Sequence, residues 1–398
     1  MNAAASFLAL FIVALGYGVI VPLGPTLVRE AMGQIAAPAI SFHTGALSAA
    51  YLLAFAAFAP LWGRVADVAA RRVIAAAGLA GFALSFAVLA MASAMTAAYV
   101  ALIAAGGSAA AVVPAIQVQI GRVSGDLAKA RLLTALGAAS FAGWFLGPPL
   151  VSWSIGIGQA RGLSAAGLPL GVIATLGFAA AIFSFHAIPA GSPFIAGDAS
   201  QTARQPFTRG AWQFGLLSMA VAFGLGGFEV SLVLWILQVM RLDAGQVSRL
   251  LVECTVVMMV VQATMFFVPA ARPRWKPTGA AAALAGMAAA IALTPLAPGV
   301  IAMSALVAVL AAAATVLQAM LSFGTVTTAG NRPGAALGLQ LSLSSVGQGL
   351  GSFTAGALFS ASGGGFYPSA TLLAAAAIGA GSMSKGPSAQ RNRDVSLL

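Results

Sequence analysis

The sequence predicts an all-α membrane protein whose twelve transmembrane helices form two pseudo-symmetric six-helix bundles. The first observation is composition: 60% of the 398 residues are hydrophobic and the mean hydropathy is +0.98, too apolar for a soluble chain of this length. The second is that apolar residues occur in runs long enough to cross a bilayer, which takes about 20 residues per helix. The third is that charged residues, only 7% of the chain, lie mainly between those runs.

Twelve apolar runs follow one another along the chain, six on each side of one polar segment. They centre near residues 15, 53, 83, 108, 142, 178, 225, 257, 286, 311, 347 and 374. The polar segment is rich in Gly, Pro and Ser, as linkers are. We therefore expect a first bundle over 1–190, a linker over 191–210, a second bundle over 211–383 and a polar tail over 384–398.

The basic residues of the loops predict the orientation of the chain in the membrane, because Lys and Arg are retained on the cytoplasmic side. With the N-terminus inside, only four of the 19 basic residues fall in outer loops: Arg29, Arg161, Arg241 and Arg249. Both termini, the tail and the linker are therefore expected in the cytoplasm, with the protein spanning the inner membrane. The same pattern explains the net charge of +11 without a nucleic-acid partner.

The densest charged cluster is the stretch 63–72, between the second and third apolar runs, which reads Gly-Arg-Val-Ala-Asp-Val-Ala-Ala-Arg-Arg. Its basic residues predict a tight hairpin on the cytoplasmic side. Its single acid, Asp67, has a second possible role. It can accept hydrogen bonds from backbone N–H groups at the start of another helix, where a negative charge is favoured.

The two halves of the sequence resemble each other weakly, as duplicated halves of a transporter do. Gly143 and Gly147 in the fifth run are echoed by Gly347 and Gly351 in the eleventh. Glycines at this spacing let helix backbones approach closely. Pro148, which lacks a backbone donor, can bend the fifth helix.

The stretch 63–72 resembles the loop motif between helices 2 and 3 of the major facilitator superfamily. It matches that motif at Gly63, Ala66, Asp67, Arg71 and Arg72. The first helix around 16–27 is similar to the tetracycline/proton antiporters and their drug-exporter relatives, and so is the segment from Gly143 through Gly147 to Pro148. The resemblance implies the major facilitator fold and alternating access, with the loop motif as a conformational switch.

Two positions depart from that family. Where the tetracycline group carries an acid in helix 1, this chain has Val13, and where many proton-coupled exporters carry an arginine in helix 4, it has Leu102. The resemblance implies that both charges serve in proton coupling. Coupling in this chain therefore has to use other residues or to be absent.

Glu229 is the sharpest candidate for coupling or substrate binding, since it lies deep within the seventh apolar run. An ionised acid facing lipid at that depth costs at least about 2.5 kcal/mol, so the side chain is expected to face a hydrated cavity. Such a carboxyl could carry protons or recognise a cationic substrate. The alternative is a neutral glutamic acid that hydrogen-bonds across a helix interface and has a structural role only.

Four further residues are candidates for the same site. Trp144 and Trp235 could stack against an amphipathic substrate, although tryptophan is equally common at the lipid interface. Gln340 and Gln348 lie in an eleventh run that is more polar than a lipid-facing helix should be. They suit either a hydrogen-bonded seam between helices or a water-filled cavity.

These features predict a secondary active transporter, most simply an exporter of an amphipathic drug-like compound or metabolite in exchange for protons. The alternatives are export or uptake of a metal-chelating siderophore, nutrient uptake by the same fold, and a membrane-embedded enzyme. An enzyme would need a nucleophile–base set or metal ligands, and two His, one Cys and eight acids offer none. We expect no cofactor or bound metal, and a monomer whose partners are its substrate, protons and the lipid bilayer.

Overall fold

The computed structural model describes residues 3–33, 36–68, 70–121, 126–160, 164–188, 207–267, 276–328, 333–360 and 362–382. Twelve helices occupy these ranges, one for each predicted apolar run. They are α1 Ala3–Met32, α2 Ala37–Val68, α3 Arg71–Ala90, α4 Met95–Gly121, α5 Asp126–Ala160, α6 Gly167–Ala187, α7 Arg209–Leu234, α8 Ala244–Phe267, α9 Pro277–Leu293, α10 Val300–Thr328, α11 Pro333–Leu358 and α12 Tyr367–Ser382. A π-helical turn, Trp235–Val239, extends α7.

Nine of the described helices are long and apolar enough to cross a membrane, as judged by length and composition. The exceptions are α5, α11 and α12, of which α12 has a shorter apolar stretch, Tyr367–Ala380. Glycine and proline lower the hydropathy of α5, and serine and glutamine lower that of α11. Both helices pack against several other helices, so they need less apolar surface than a helix that faces lipid.

The helices form two bundles, each with its own hydrophobic core. One core draws its buried residues from the range 9–181. The other draws them from 214–380, with Val21 of the first half added. Corresponding helix pairs pack in both halves: α1 on α5 as α7 on α11, α3 on α4 as α9 on α10, and α3 on α6 as α9 on α12. This arrangement confirms the predicted fold of two pseudo-symmetric six-helix bundles.

Close backbone contacts hold the α1–α5 and α7–α11 pairs together. A Cβ at Gly143 or Gly147 would meet the backbone of α1, and one at Gly347 or Gly351 would meet the backbone of α7. The two glycine pairs of the sequence therefore occupy equivalent positions in the two bundles. Pro148, buried beside Gly147, lies inside α5 without ending it.

Gly351→Ala is expected to destabilise the second bundle, whereas Gly338→Ala on the same helix is not. A methyl group at 351 would meet the carbonyl oxygen of Phe223, and overpacking of this kind typically costs about 1–3 kcal/mol. At 338 the methyl group has no described neighbour within 4 Å, and removing a helical glycine gains roughly 0.5–1 kcal/mol. Thermal unfolding in detergent, followed by tryptophan fluorescence, measures both. Equal melting temperatures would contradict the close α7–α11 contact.

The two bundles contact each other through α2 on α11 and through α5 on α8. We call the end of the molecule where α1 is followed by α2, at 32–37, the first-loop end. There, a Cβ at Gly45 of α2 or at Gly356 of α11 would meet the backbone of the other helix. Gln238, in the π turn after α7, also donates a hydrogen bond to the Ser41 hydroxyl over 3.1 Å. The bundles are therefore closed against each other at the first-loop end.

Candidate functional site

Three polar side chains meet between the bundles and form what we call the polar bridge: Tyr17 of α1, Glu229 of α7 and Gln348 of α11. The Tyr17 hydroxyl donates to Glu229 Oε2 over 3.2 Å. The Gln348 Nε2 amide donates to the Tyr17 oxygen over 2.9 Å and to the same Glu229 oxygen over 3.3 Å. Because Tyr17 belongs to the first bundle and its partners to the second, these bonds cross the interface between the bundles.

Glycines beside the polar bridge pack its helices closely within each bundle. Gly226, one helical turn before Glu229, lies against the backbone of Gln348, so a larger residue there would separate α7 from α11. Gly18, next to Tyr17, lies close to the backbone of Trp144 on α5. The contact at Gly226 therefore brings the two members of the bridge from the second bundle together, while the contact at Gly18 packs the helix of Tyr17 against α5.

Aromatic side chains surround the bridge on the side of the first bundle. The ring of Tyr51, on α2, stacks on the ring of Tyr17 with centroids 5.6 Å apart and an angle of 23° between the planes. Trp144 is half-buried and packs, like Tyr17, against the core of the second bundle. Trp144 therefore lies at the interface between the bundles, on the same side as Tyr17.

The carboxyl group of Glu229 is buried and has no basic partner. The residue is only 7% exposed, and its hydrogen-bond partners in the described part of the chain are the neutral groups of Tyr17 and Gln348. A buried charge that lacks an opposite charge is costly, even with hydrogen bonds. The site is therefore suited to hold either a proton on Glu229 or a positive charge beside it.

Gln340 lies apart from the bridge, two turns earlier on α11. It is 7% exposed and donates from Nε2 to the Ser218 hydroxyl of α7 over 2.9 Å. Ser352 hydrogen-bonds to the Gly226 carbonyl further along the same pair of helices. Gln340 thus belongs to a seam between α7 and α11, while Gln348 belongs to the interface between the bundles.

Trp235 is not brought together with Glu229. It is 8% exposed and lies edge-on to Phe366, with ring centroids 5.9 Å apart, inside the core of the second bundle. Its position in the π turn directs it into that core and away from the first bundle. The structure therefore gives Trp235 a packing role within one bundle.

Most of the loop motif lies outside the described side chains. This applies to Gly63, Asp67 and Arg71, so the expected contact of Asp67 with another helix stays a prediction. The Arg72 guanidinium, in contrast, lies over the ring of Phe185 on α6, with its carbon 5.3 Å from the ring centroid. This cation–π contact joins the start of α3 to α6.

The two positions at which this chain departs from the family it resembles both lie in an apolar core. Val13 is 8% exposed and Leu102 is fully buried, and both belong to the core of the first bundle. In the described residues, no cluster of three or more His, Cys, Asp and Glu side chains is placed to hold a metal ion.

Sequence reasoning missed Tyr17 and Tyr51. Tyrosine is scarce in this chain, with four residues, and a phenol in an apolar helix usually needs a hydrogen-bond partner. That scarcity was a signal that could have singled out both residues. The identity of the partner, Glu229, was not available from the sequence because 212 positions separate the two residues.

Residues 6–352 match the sequence model of the Major Facilitator Superfamily, which covers the first eleven helices nearly to the end of α11. The tetracycline resistance protein of class G from Vibrio anguillarum is 34% identical over 148 residues, 36% of this chain and 37% of that protein. The class D protein from Salmonella ordonez is 33% identical over 139 residues, 34% of each chain. The matched segments thus span little more than a third of these relatives.

Solved transporter structures share the fold over nearly the whole chain. A human organic anion transporter, TETRAN, has a TM-score of 0.70 at 19% identity and covers 94% of this chain and 98% of its own. A peptide transporter, POT, has a TM-score of 0.74 at 12% identity, with coverage of 96% and 94%. At these identities the likeness concerns the fold alone.

Proposed function

The chain belongs to the Major Facilitator Superfamily, and from that premise we propose that it is an inner-membrane exporter of an amphipathic small molecule that works by proton antiport. The observation that carries the proposal is the buried carboxyl of Glu229, which lies at the interface between the bundles without a basic partner. A group that alternates between charged and neutral forms during transport has to be reached in turn from each side of the membrane, as the interface between the bundles allows, and cannot be held permanently in an ion pair.

The relatives support an exporter over an importer. Both partial matches named above are tetracycline resistance proteins, and resistance by a membrane transporter of this family implies outward movement of drug. In this chain the proton-coupling charges that the resemblance implies in helices 1 and 4 are replaced by Val13 and Leu102. We infer that Glu229, which lies in the second bundle, takes over the role of those two charges in proton coupling.

The substrate would bind between the bundles, next to the polar bridge. The rings of Tyr17 and Tyr51 and the half-buried Trp144 offer apolar faces, and the carboxyl and amide groups of Glu229 and Gln348 offer polar contacts. A few polar groups among aromatic faces are typical of sites for amphipathic molecules. No cofactor is needed, because the proton gradient supplies the free energy.

We further propose that both termini and the linker 191–210 face the cytoplasm, with bundles over 1–190 and 211–383 that work as a monomer. The distribution of basic residues supports this orientation. The first-loop end, where α2 and α11 are in contact, then faces the outside. The described arrangement would be the state of the cycle that is closed to the outside.

The test is substrate flux in proteoliposomes that contain the purified protein. A pH gradient of one unit stores about 1.4 kcal/mol per proton, enough for about tenfold accumulation in a one-for-one exchange. The panel contains tetracyclines, dyes and metal chelates. We expect at least one amphipathic compound to accumulate by moving in the direction opposite to the flow of protons. Accumulation in the direction of proton flow would indicate uptake instead, and no response to the gradient for any compound would contradict antiport.

A further inference from the structure

We propose that Tyr17 is a positioning residue that converts the protonation state of Glu229 into contact between the two bundles. This inference rests on the proposed function only in that Glu229 gains and loses a proton. Of the three hydrogen bonds of the polar bridge, the two made by Tyr17 cross the interface, while the bond between Gln348 and Glu229 stays within the second bundle. Tyr17 is therefore the member that joins the bundles.

The hydrogen bonds of the bridge are suited to a carboxylate. One oxygen, Glu229 Oε2, accepts from both the Tyr17 hydroxyl and the Gln348 amide. Hydrogen bonds to an ionised acceptor are roughly twice as strong as those between neutral groups. With Glu229 deprotonated, the bridge holds α1 against α7 and α11, in the arrangement that is closed at the first-loop end.

Protonation of the same oxygen weakens the bridge. A protonated carboxyl oxygen carries a donor of its own, so the carboxyl, the phenol and the amide would bring three donors together. The protonated group keeps a carbonyl oxygen that can accept, but this oxygen is neutral, so the hydrogen bonds from the phenol and the amide lose the extra strength that the carboxylate gave them. The protonated bridge therefore holds the bundles less firmly, and they can separate at the first-loop end.

The direction in which protonation of Glu229 shifts the two states agrees with proton antiport. If the first-loop end faces outside, the state closed to the outside releases its proton to the cytoplasm and is stabilised by the carboxylate. Protons from the outside reach Glu229 only when the first-loop end is open and the bridge is broken. Protonation therefore favours the state that is open to the outside.

Other titratable groups near Glu229 do not provide the same switch. Tyr51 of α2 stacks on Tyr17 and has no described hydrogen bond from its hydroxyl. Cys254 of α8 is buried in the core of the second bundle and follows Glu253 in the chain. As free side chains, a phenol and a thiol ionise only in alkaline solution. Glu253 is half-buried and takes no part in the bridge.

The experiment compares Tyr17→Phe with Tyr51→Phe as a matched control, since each change removes one hydroxyl and keeps the ring. Spin labels at Met32→Cys and Leu296→Cys, both exposed and in different bundles at the first-loop end, report separation of the bundles by their distance. In the unmodified bridge, we expect the label distance to increase as pH falls. Tyr17→Phe should lose this pH dependence, whereas Tyr51→Phe should retain it.

Two further measurements separate the inference from a general loss of structure. Tyr17→Phe should elute from gel filtration as its parent does and show the same tryptophan fluorescence, which shows that it is folded, while accumulation driven by a one-unit gradient falls from about tenfold to near unity. Glu229→Gln should give the low-pH distance at every pH, and adding Tyr17→Phe to it should change little, because coupled residues are not additive. A Tyr17→Phe protein with the full pH response of its parent would overturn the inference.

The result also distinguishes this inference from the proposed function. If the parent protein accumulates no substrate under a gradient but its label distance depends on pH through Tyr17, antiport fails and the bridge stands. If the parent accumulates substrate and Tyr17→Phe responds to pH unchanged, the bridge fails and antiport stands.

Discussion

Replacing Glu229 with glutamine is expected to abolish proton-driven accumulation while downhill exchange of substrate continues. Glutamine has nearly the same shape and can still accept the hydrogen bond from Tyr17, but it cannot bind and release a proton. Accumulation under a one-unit gradient should therefore fall from about tenfold to near unity, a loss of about 1.4 kcal/mol of coupling. Flux in both modes, measured in one reconstituted preparation, tests this expectation.

The matched control is Glu253→Gln, which changes the other acid of the second bundle that lies within a membrane helix. Glu253 is half-buried on α8 and outside the polar bridge, so gradient-driven accumulation should persist in this variant.

Two outcomes would assign Glu229 a different role. If the loss in Glu229→Gln is confined to cationic compounds, the carboxylate recognises substrate charge and the proton is carried elsewhere. If accumulation persists for every compound, Glu229 only joins the helices, and the proposal of antiport through this residue is wrong.

Gly45→Val is expected to slow both modes of transport strongly, because it hinders closure at the first-loop end. A Cβ at Gly45 would meet the carbonyl oxygen of Ser352 and the backbone of Gly356, atoms that cannot move aside without separating α2 from α11. Overpacking typically costs about 1–3 kcal/mol, which lowers the equilibrium constant for closure by about fivefold to 140-fold. Exchange and accumulation both require that state, so both rates should fall together.

This result differs in kind from that of Glu229→Gln and from that of Gly351→Ala. The affected contact lies between the bundles, so each bundle should stay folded and the melting temperature should change little. Gly286→Val on α9, where an added Cβ has no described neighbour within 4 Å, is the control and should transport normally.

Accessibility of an introduced cysteine at the first-loop end should rise in Gly45→Val and stay unchanged in Gly286→Val. A Gly45→Val protein that exchanges substrate at the normal rate would contradict the close contact between α2 and α11.

Several features of the fold could be predicted because they depend on local composition. In a bilayer the backbone must satisfy its own hydrogen bonds, so a long apolar run becomes a helix whatever its neighbours. The twelve runs therefore gave twelve helices, and the spacing of Gly143 with Gly147 and of Gly347 with Gly351 indicated backbone contacts. Glu229 was identifiable for the same reason, since an acid at membrane depth is rare and costly.

The partners of these residues could not be predicted from composition. Lipid is as apolar as leucine, so a membrane helix need not show which of its faces meets another helix. Trp144 and Trp235 were equivalent candidates in the sequence, yet one lies between the bundles and the other inside a bundle core. Gln340 and Gln348 were likewise equivalent, and two turns of α11 place one in a seam and the other in the bridge.

The sequence by itself therefore determined the class of the protein, its helices and its division into halves, and it indicated Glu229 as the first candidate for coupling. These features follow from hydropathy and charge, because the free energy of placing a residue in the bilayer depends mainly on its own side chain. Only the tertiary structure decided that Tyr17 and Gln348 share that acid and that α2 closes on α11 at the first-loop end. Such contacts depend on the rotation and approach of helices far apart in the chain, and the short backbone distances that set them arise only when both bundles are assembled.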